Sequence, residues 1–198
     1  LTATETWLQE HHNSWQELPH TPTEDLVRKL FVKAVSKVTT VLQTQAERSH
    51  YDVNNLACTL LTFLATPDWI AAMQIGDGFM IVRSPESDYQ LVFQPDKGEF
   101  ANQTTFITAQ SALDEMQIRV LPLSPTFICA SSDALEKVAI RMADWTPFAP
   151  FFAPLEEYLQ ETPNPDADDT YLMSFLESDR LNQRTDDDKT LLLCRYEQ

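Results

Sequence analysis

Glycine is scarce in this chain. Only Gly76, Gly78 and Gly98 occur in 198 residues, where ordinary usage of about 7% would supply about fourteen. A phosphate-cradling loop or a dinucleotide fingerprint needs several glycines close together, so both are excluded. Cysteine is sparse too. Cys58, Cys129 and Cys194 are odd in number, far apart and set within apolar runs. No Cys-x-x-Cys pair is present to seed a zinc site. They read as buried free thiols of a reducing compartment, and the expected location is the cytoplasm. Basic residues are also few. Fourteen Lys and Arg face thirty Asp and Glu, a net charge of −16. Such a surface lacks the basic stripe that nucleic acid requires and is repelled by anionic membranes. No apolar run reaches about 18 residues, so no transmembrane helix is expected. No signal-peptide pattern opens the chain.

What is present suits a self-sufficient core. A chain of this length buries roughly 70% of the surface its unfolded form exposes, and 43% of its residues are hydrophobic. One domain spanning residues 1–198 is expected. The first third reads helical. Thr4 to about Trp15 suits a short helix. Thr21-Pro22-Thr23-Glu24 then offers a capping threonine, a proline at the first helical position and a glutamate three after the cap. Leu26, Leu30, Phe31, Ala34, Val35, Val38, Val41 and Leu42 follow at three-to-four spacing over about six turns, one stripe for a core.

The middle alternates as strands. Leu56–Thr66, Trp69–Ile75, Phe79–Val82 and Tyr89–Phe93 are joined by tight connections, among them Gly76-Asp77-Gly78. Further strands are expected at Thr104–Thr108, Ile118–Leu121 and Thr126–Ala130. The last third predicts a helix from Ala134 to about Ala143, then a Pro- and Phe-rich stretch, Thr146–Pro154, leading into a short helix through Leu159. Asp166 suits the cap of a helix through about Leu176, and Thr190–Arg195 closes as a strand. The class is α+β, with two sheets face to face and helices outside.

Three aspartates share one kind of setting. Asp77 lies in the glycine turn between two apolar strands. Asp133 lies where the strand Thr126–Ala130 gives way to a helix, in Ser131-Ser132-Asp133-Ala134-Leu135. Asp187 lies in Thr185-Asp186-Asp187-Asp188-Lys189, just before the last strand. Neighbouring strands would bring these carboxylates together. Hard oxygen ligands without His or Cys suit Mg2+ or Mn2+ rather than zinc. Each residue also has a plainer role: Asp77 as a turn residue, Asp133 as a helix cap, and Asp186–Asp188 as a solvated loop blunting a strand edge. Asp166, Asp168 and Asp169 read as capping and solvation. His11, His12, His20 and His50 read as surface residues, and Phe148, Phe151 and Phe152 as packing.

Taken in order, four segments are more specific than any one. Leu56-Ala57-Cys58-Thr59-Leu60-Leu61, Ile75-Gly76-Asp77-Gly78, Ser132-Asp133-Ala134-Leu135 and Asp187-Asp188-Lys189-Thr190-Leu191-Leu192 together resemble the metal-dependent protein phosphatases of type 2C, in particular the bacterial branch. The resemblance spans about residues 22–196. It implies an α-β-β-α sandwich with a binuclear Mn2+ or Mg2+ centre at one end. By position it makes Asp133 and Asp187 metal ligands, with Asp77 steadying the site or reaching a further ion. The implied chemistry is hydrolysis of a phosphomonoester on Ser or Thr of a phosphoprotein by a metal-activated water, with no further catalytic group in this chain. A monomer that binds neither nucleic acid nor membrane is expected.

The sequence departs from the family at four points. The early Asp-Gly-x-Gly segment and an earlier acidic ligand are not in it, and the expectation is that they lie before Leu1. Ala134 replaces a glycine usual after the metal-binding aspartate. Lys137 stands where some relatives keep an acid, which speaks against a third ion there. The alternatives are a catalytically silent relative that binds phosphoproteins or a regulatory partner, and an unrelated acidic interaction domain whose three aspartates lie far apart.

Overall fold

The computed structural model describes residues 21–93, 104–162 and 170–196. The first described element is helix α1, Glu24–Ser49. Thr23 caps it, its side chain accepting from the Leu26 amide, and Glu24 and Asp25 fill the positive first turn. The cap is therefore Thr23 rather than Thr21, and Pro22 precedes the helix. The helix ends at His50, which is exposed and takes the left-handed conformation that lets its amide reach the Ala46 and Glu47 carbonyls. A 3-10 turn, Val53–Leu56, follows.

Nine strands among the described residues build two sheets and a ribbon. β1 (Leu60–Ala65), β2 (Ile70–Ile75) and β5 (Gln117–Leu121) form one sheet in the order β1-β2-β5. β3 (Phe79–Ser84), β4 (Ser87–Leu91), β6 (Phe127–Ser131) and β9 (Leu191–Arg195) form the second, in the order β4-β3-β6-β9. All pairings are antiparallel. β7 (Ile140–Arg141) and β8 (Thr146–Pro147) make the ribbon. The helices α2 (Glu136–Ala139), α3 (Ala149–Glu161), α4 (Thr170–Leu176) and α5 (Asp179–Asn182) complete the described elements.

The period-two alternation of the strands divides the interior into three layers. Ile70, Ala72, Met80, Val82, Ile128 and Ala130 fill the space between the sheets. The alternate residues Ala71, Met73 and Ile75 face outward onto Val27, Phe31 and Val35 of α1. Phe79, Ile81, Phe127 and Cys129 face the other way, onto Phe152 and Leu159 of α3. The order helix, sheet, sheet, helix is thus written into the strand pattern.

One polar group sits inside the outer layer. Arg83 Nη1 donates to both oxygens of the buried Glu156 carboxylate at 2.7 and 2.8 Å, and the Tyr89 hydroxyl donates to Glu156 Oε2 at 2.6 Å. The Arg83 guanidinium also lies 5.6 Å from the Tyr89 ring centre. This ties α3 to β3 and β4. A buried carboxylate is tolerated because a cation and a hydroxyl both satisfy it.

Several expectations are corrected. Thr104–Thr108 is no strand. Its threonine hydroxyls bond side chains, Thr104 to Asp77 and Thr105 to Glu115, and only the Ile107 amide reaches a neighbouring backbone, at Cys58. The helix expected over Ala134–Ala143 shrinks to a 3-10 turn, Asp133–Leu135, plus α2. Ile140 and Arg141 are drawn into the ribbon instead. The first strand starts at Leu60 rather than Leu56. The helix expected to end at Leu159 runs on to Glu161. Val27 and Ala46 are buried on α1 and Val41 is exposed, so the stripe is rotated from the one expected. Cys58 is exposed, Cys194 is partly buried and only Cys129 is fully buried. Phe148 is exposed beside the buried Phe152. The helix expected at Thr4–Trp15, the cap at Asp166 and His11, His12 and His20 lie outside the described residues.

Two outcomes follow from this packing. Phe152 is fully buried, so Phe152→Ala is expected to cost about 3–5 kcal/mol in urea unfolding. The Tyr89 phenol is held well above its usual range, first by burial and then by its bond to Glu156. The folded chain therefore resists an ionisation that the unfolded chain undergoes near pH 10. This contribution to stability is intact below about pH 10 and is lost as pH rises beyond it. Thermal melts between pH 9 and 11 should show a steeper loss for the parent than for Tyr89→Phe.

Candidate active site

Strand register decides where the three aspartates lie. Phe79 pairs with Ser131, and Ser131 pairs with Leu191. The turn before Phe79, the stretch after Ser131 and the stretch before Leu191 therefore emerge side by side at one end of the second sheet. They carry Asp77, Asp133 and Asp187. All three side chains are exposed at this rim.

Backbone contacts hold the segments in place. Gln74, buried on the inner face of β2, donates through Nε2 to the carbonyls of Gly76 and Gly78 at 2.8 Å each. Its Oε1 is buried without a partner. Two carbonyls of the turn are thus satisfied by one side chain from the opposite sheet. Gly76 has φ +107°, a conformation open mainly to glycine. Gly78 packs so closely on Ser131 that a Cβ there would lie 2.6 Å from its carbonyl oxygen. Two of the three glycines are therefore fixed by the turn that carries Asp77.

The other two segments are joined through serines. Ser131 Oγ donates to the Thr190 carbonyl at 2.9 Å. Ser132 Oγ donates to the Asp188 carbonyl at 3.2 Å and accepts from the Thr190 amide at 3.1 Å. The Ser132 amide donates to the Thr190 carbonyl. Asp133 is thereby locked to the loop that bears Asp187. Within that loop Asp187 accepts from the Asp188 amide at 2.8 Å, while Lys189 turns away to donate to Asn182 Oδ1 at 2.8 Å. Thr104 donates its hydroxyl to Asp77. Ala134 has no positive φ, so alanine stands there without strain.

The electrostatics show that the carboxylates converge. The Asp133 carboxyl is raised above its ordinary range by burial first, then by the charges of Asp77 and Asp187. Glu136 is raised as well, by burial and then by Asp133 and Asp77, with Lys137 opposing. Glu136 was missed in the sequence. Its signal was there, three residues beyond Asp133 on a helical turn. No three acidic, His or Cys side chains among the described residues stand close enough to enclose an ion alone. The donors are all carboxylate oxygens, and one or two carboxylates completed by water is a usual Mg2+ arrangement. The residues present fit a hard divalent cation.

A sandwich of two antiparallel sheets between helices, with carboxylates gathered at one end, also describes known proteins. The family model for protein phosphatase 2C matches residues 2–177. The chain belongs to the protein phosphatase 2C family. That match takes in Asp77 and Asp133 and ends before Asp187. The chain is 35% identical over 170 residues to serine/threonine-protein phosphatase 3 of Escherichia coli (strain K12), covering 83% of this chain and 67% of that protein. Among solved structures, the serine/threonine phosphatase of Staphylococcus aureus superposes with a TM-score of 0.54 at 10% identity, over 98% of this chain and 77% of that one. A mutant bacterial serine phosphatase gives 0.53 at 11% identity, over 97% and 77%. These two show the shared phosphatase 2C fold.

In this phosphatase 2C domain the close approach at Gly78 is the most easily tested feature. A methyl group would press on Ser131 of the neighbouring strand and on Leu61 Cδ1, 2.5 Å away. Gly78→Ala is expected to lower stability by about 1–3 kcal/mol in chemical denaturation, as overpacking does.

Proposed function

We propose that this protein is a Mn2+- or Mg2+-dependent phosphatase acting on phosphoserine and phosphothreonine in phosphoproteins. Asp133 and Asp187 are the proposed metal ligands, with Asp77 beside them as a support or a further ligand. The observation that carries the reading is the meeting of these three carboxylates at one rim, in a chain of this family. Asp133 and Asp187 would hold a divalent cation there, which when bound would supply charge to neutralise phosphoryl oxygens and acidify an attacking water. The chain's own residues do the positioning. Ser131 and Ser132 fix the spacing between Asp133 and the Asp187 loop. Gln74 fixes the turn of Asp77. Gathering like charges is costly without a counter-charge, and a cation would reverse that cost.

The exposed rim leaves room for a phosphorylated side chain carried by a protein. We read residues 1–198 as one domain acting as a monomer in the cytoplasm. No helix among the described residues is long and apolar enough to cross a membrane.

The test uses the full-length gene product. Hydrolysis of p-nitrophenyl phosphate should require Mn2+ or Mg2+ and stop on chelation. Asp133→Asn and Asp187→Asn should reduce it to background, and Asp77→Asn should reduce it less. Isothermal titration with Mn2+ reads the same residues without catalysis. Chelator-resistant hydrolysis would overturn the proposal. No hydrolysis of any phosphoester together with weak or absent Mn2+ binding would favour a silent regulatory domain.

A further inference from the structure

A cleft of about 720 Å³ opens on the outer side of the second sheet, walled by α2, β7, α3, α4 and α5. Its charge differs from that of the rest of the chain. Among the described residues, sixteen line it; four are basic, Lys137, Arg141, Arg180 and Arg184, and none is acidic. In the whole chain acids outnumber bases by 30 to 14. Arg141 is engaged by Thr146 and Asp144. Arg180 and Arg184 form no ion pair among the described residues. The same cleft exposes large apolar side chains. Met142, Phe148 and Tyr171 line it and are 43%, 41% and 44% exposed. Uncovered apolar surface rimmed by one sign of charge marks a binding site.

We propose that this cleft binds the acidic, apolar-containing flank of the phosphoprotein substrate. The inference rests on the phosphatase reading, because it is the position of the rim that makes the occupant a substrate flank. Lys137 follows Asp133 by four residues, and Arg184 precedes Asp187 by three. A 3-10 turn and the start of α2 separate Asp133 from Lys137, a rise of roughly 7 Å, so the cationic border begins close to Asp133. A peptide whose phosphoresidue sits at the rim can lay its neighbouring residues along the cleft. Acidic side chains would meet Arg180 and Arg184, and an apolar one would cover Phe148 and Tyr171. A membrane is the poorer occupant. The net charge of −16 repels anionic lipid, and the surface is concave rather than a protruding wedge.

Binding is tested apart from catalysis. A fluorescent unphosphorylated peptide containing Asp, Glu and Phe is titrated into the full-length protein with chelator present, against a counterpart bearing Lys in place of the acids. The acidic peptide should bind and the basic one should not. The double substitution Arg180→Glu/Arg184→Glu should weaken binding at least tenfold. The milder pair Arg180→Gln/Arg184→Gln should weaken it less and retain the parent melting temperature. With Mn2+, the charge reversal should raise KM about tenfold for a phosphopeptide with acidic flanks and leave p-nitrophenyl phosphate hydrolysis unchanged. Equal affinity of parent and double variant for the acidic peptide would overturn the inference. So would binding to phosphatidylglycerol vesicles but not to peptide. If the parent hydrolyses no phosphoester, the phosphatase reading fails, and the peptide titration still decides whether the cleft takes acidic chains.

Discussion

The antiparallel register of β3, β6 and β9 is the constraint on which the rest depends. Phe79 opposes Ser131 and Ser131 opposes Leu191. That alignment sends three chain reversals out of the same edge. A slip of one residue would turn every side chain of the slipped strand to the other face, driving Arg83 between the sheets and away from Glu156. The outer and inner cores therefore fix the register, and the register fixes the rim. The carboxylates meet there despite their mutual repulsion because the cost of separating them would fall on the packed strands.

Much of this was legible in the sequence, for a physical reason. Strands buried on both faces, β2, β3 and β6, read as short apolar runs, and these three with the half-exposed β5 and β9 lie within a residue or two of where the sequence predicted them. Strand-end aspartates could be picked out because a polar residue at the end of an apolar run is a positional signal. Residues 104–108 misled because threonine-rich β-propensity is a weak preference. Thr104 and Thr105 place their hydroxyls on carboxylates, and Ile107 alone packs inward. The helix after Asp133 was overestimated because nothing local in Ile140 or Arg141 announces their pairing with Thr146 and Pro147. Glu136 was missed because its relevance depends on a 3-10 turn that swings it toward Asp77. The cleft was invisible, since its cations come from separate segments that only the fold assembles.

The charge distribution of the molecule then makes physical sense. A chain at −16 would repel a phosphorylated partner if its charge were spread evenly. Instead, Asp77, Asp133 and Asp187 share one rim and four cations line the outer cleft. On the proposed reading the two regions would place opposite demands on a ligand that touches both: a hard cation at one and anionic side chains at the other. Long-range repulsion between protein and substrate is screened over about 8 Å at physiological salt, so these local fields decide the encounter.

The glycine turn has a mechanical side. β2 belongs to one sheet and β3 to the other, so Gly76-Asp77-Gly78 crosses the slip plane of the sandwich. Asp77 is tied to the first sheet through Gln74 as well as to the second through Gly78 and Phe79, whereas Asp133 and Asp187 answer to the second. Any sliding of one layer over the other would change the gap between them. Alignment of the rim and compression of the layer containing Ile70, Val82 and Ile128 are thus a single mechanical variable. A methyl group lost deep between the sheets would be felt at the edge by carboxylates it never touches.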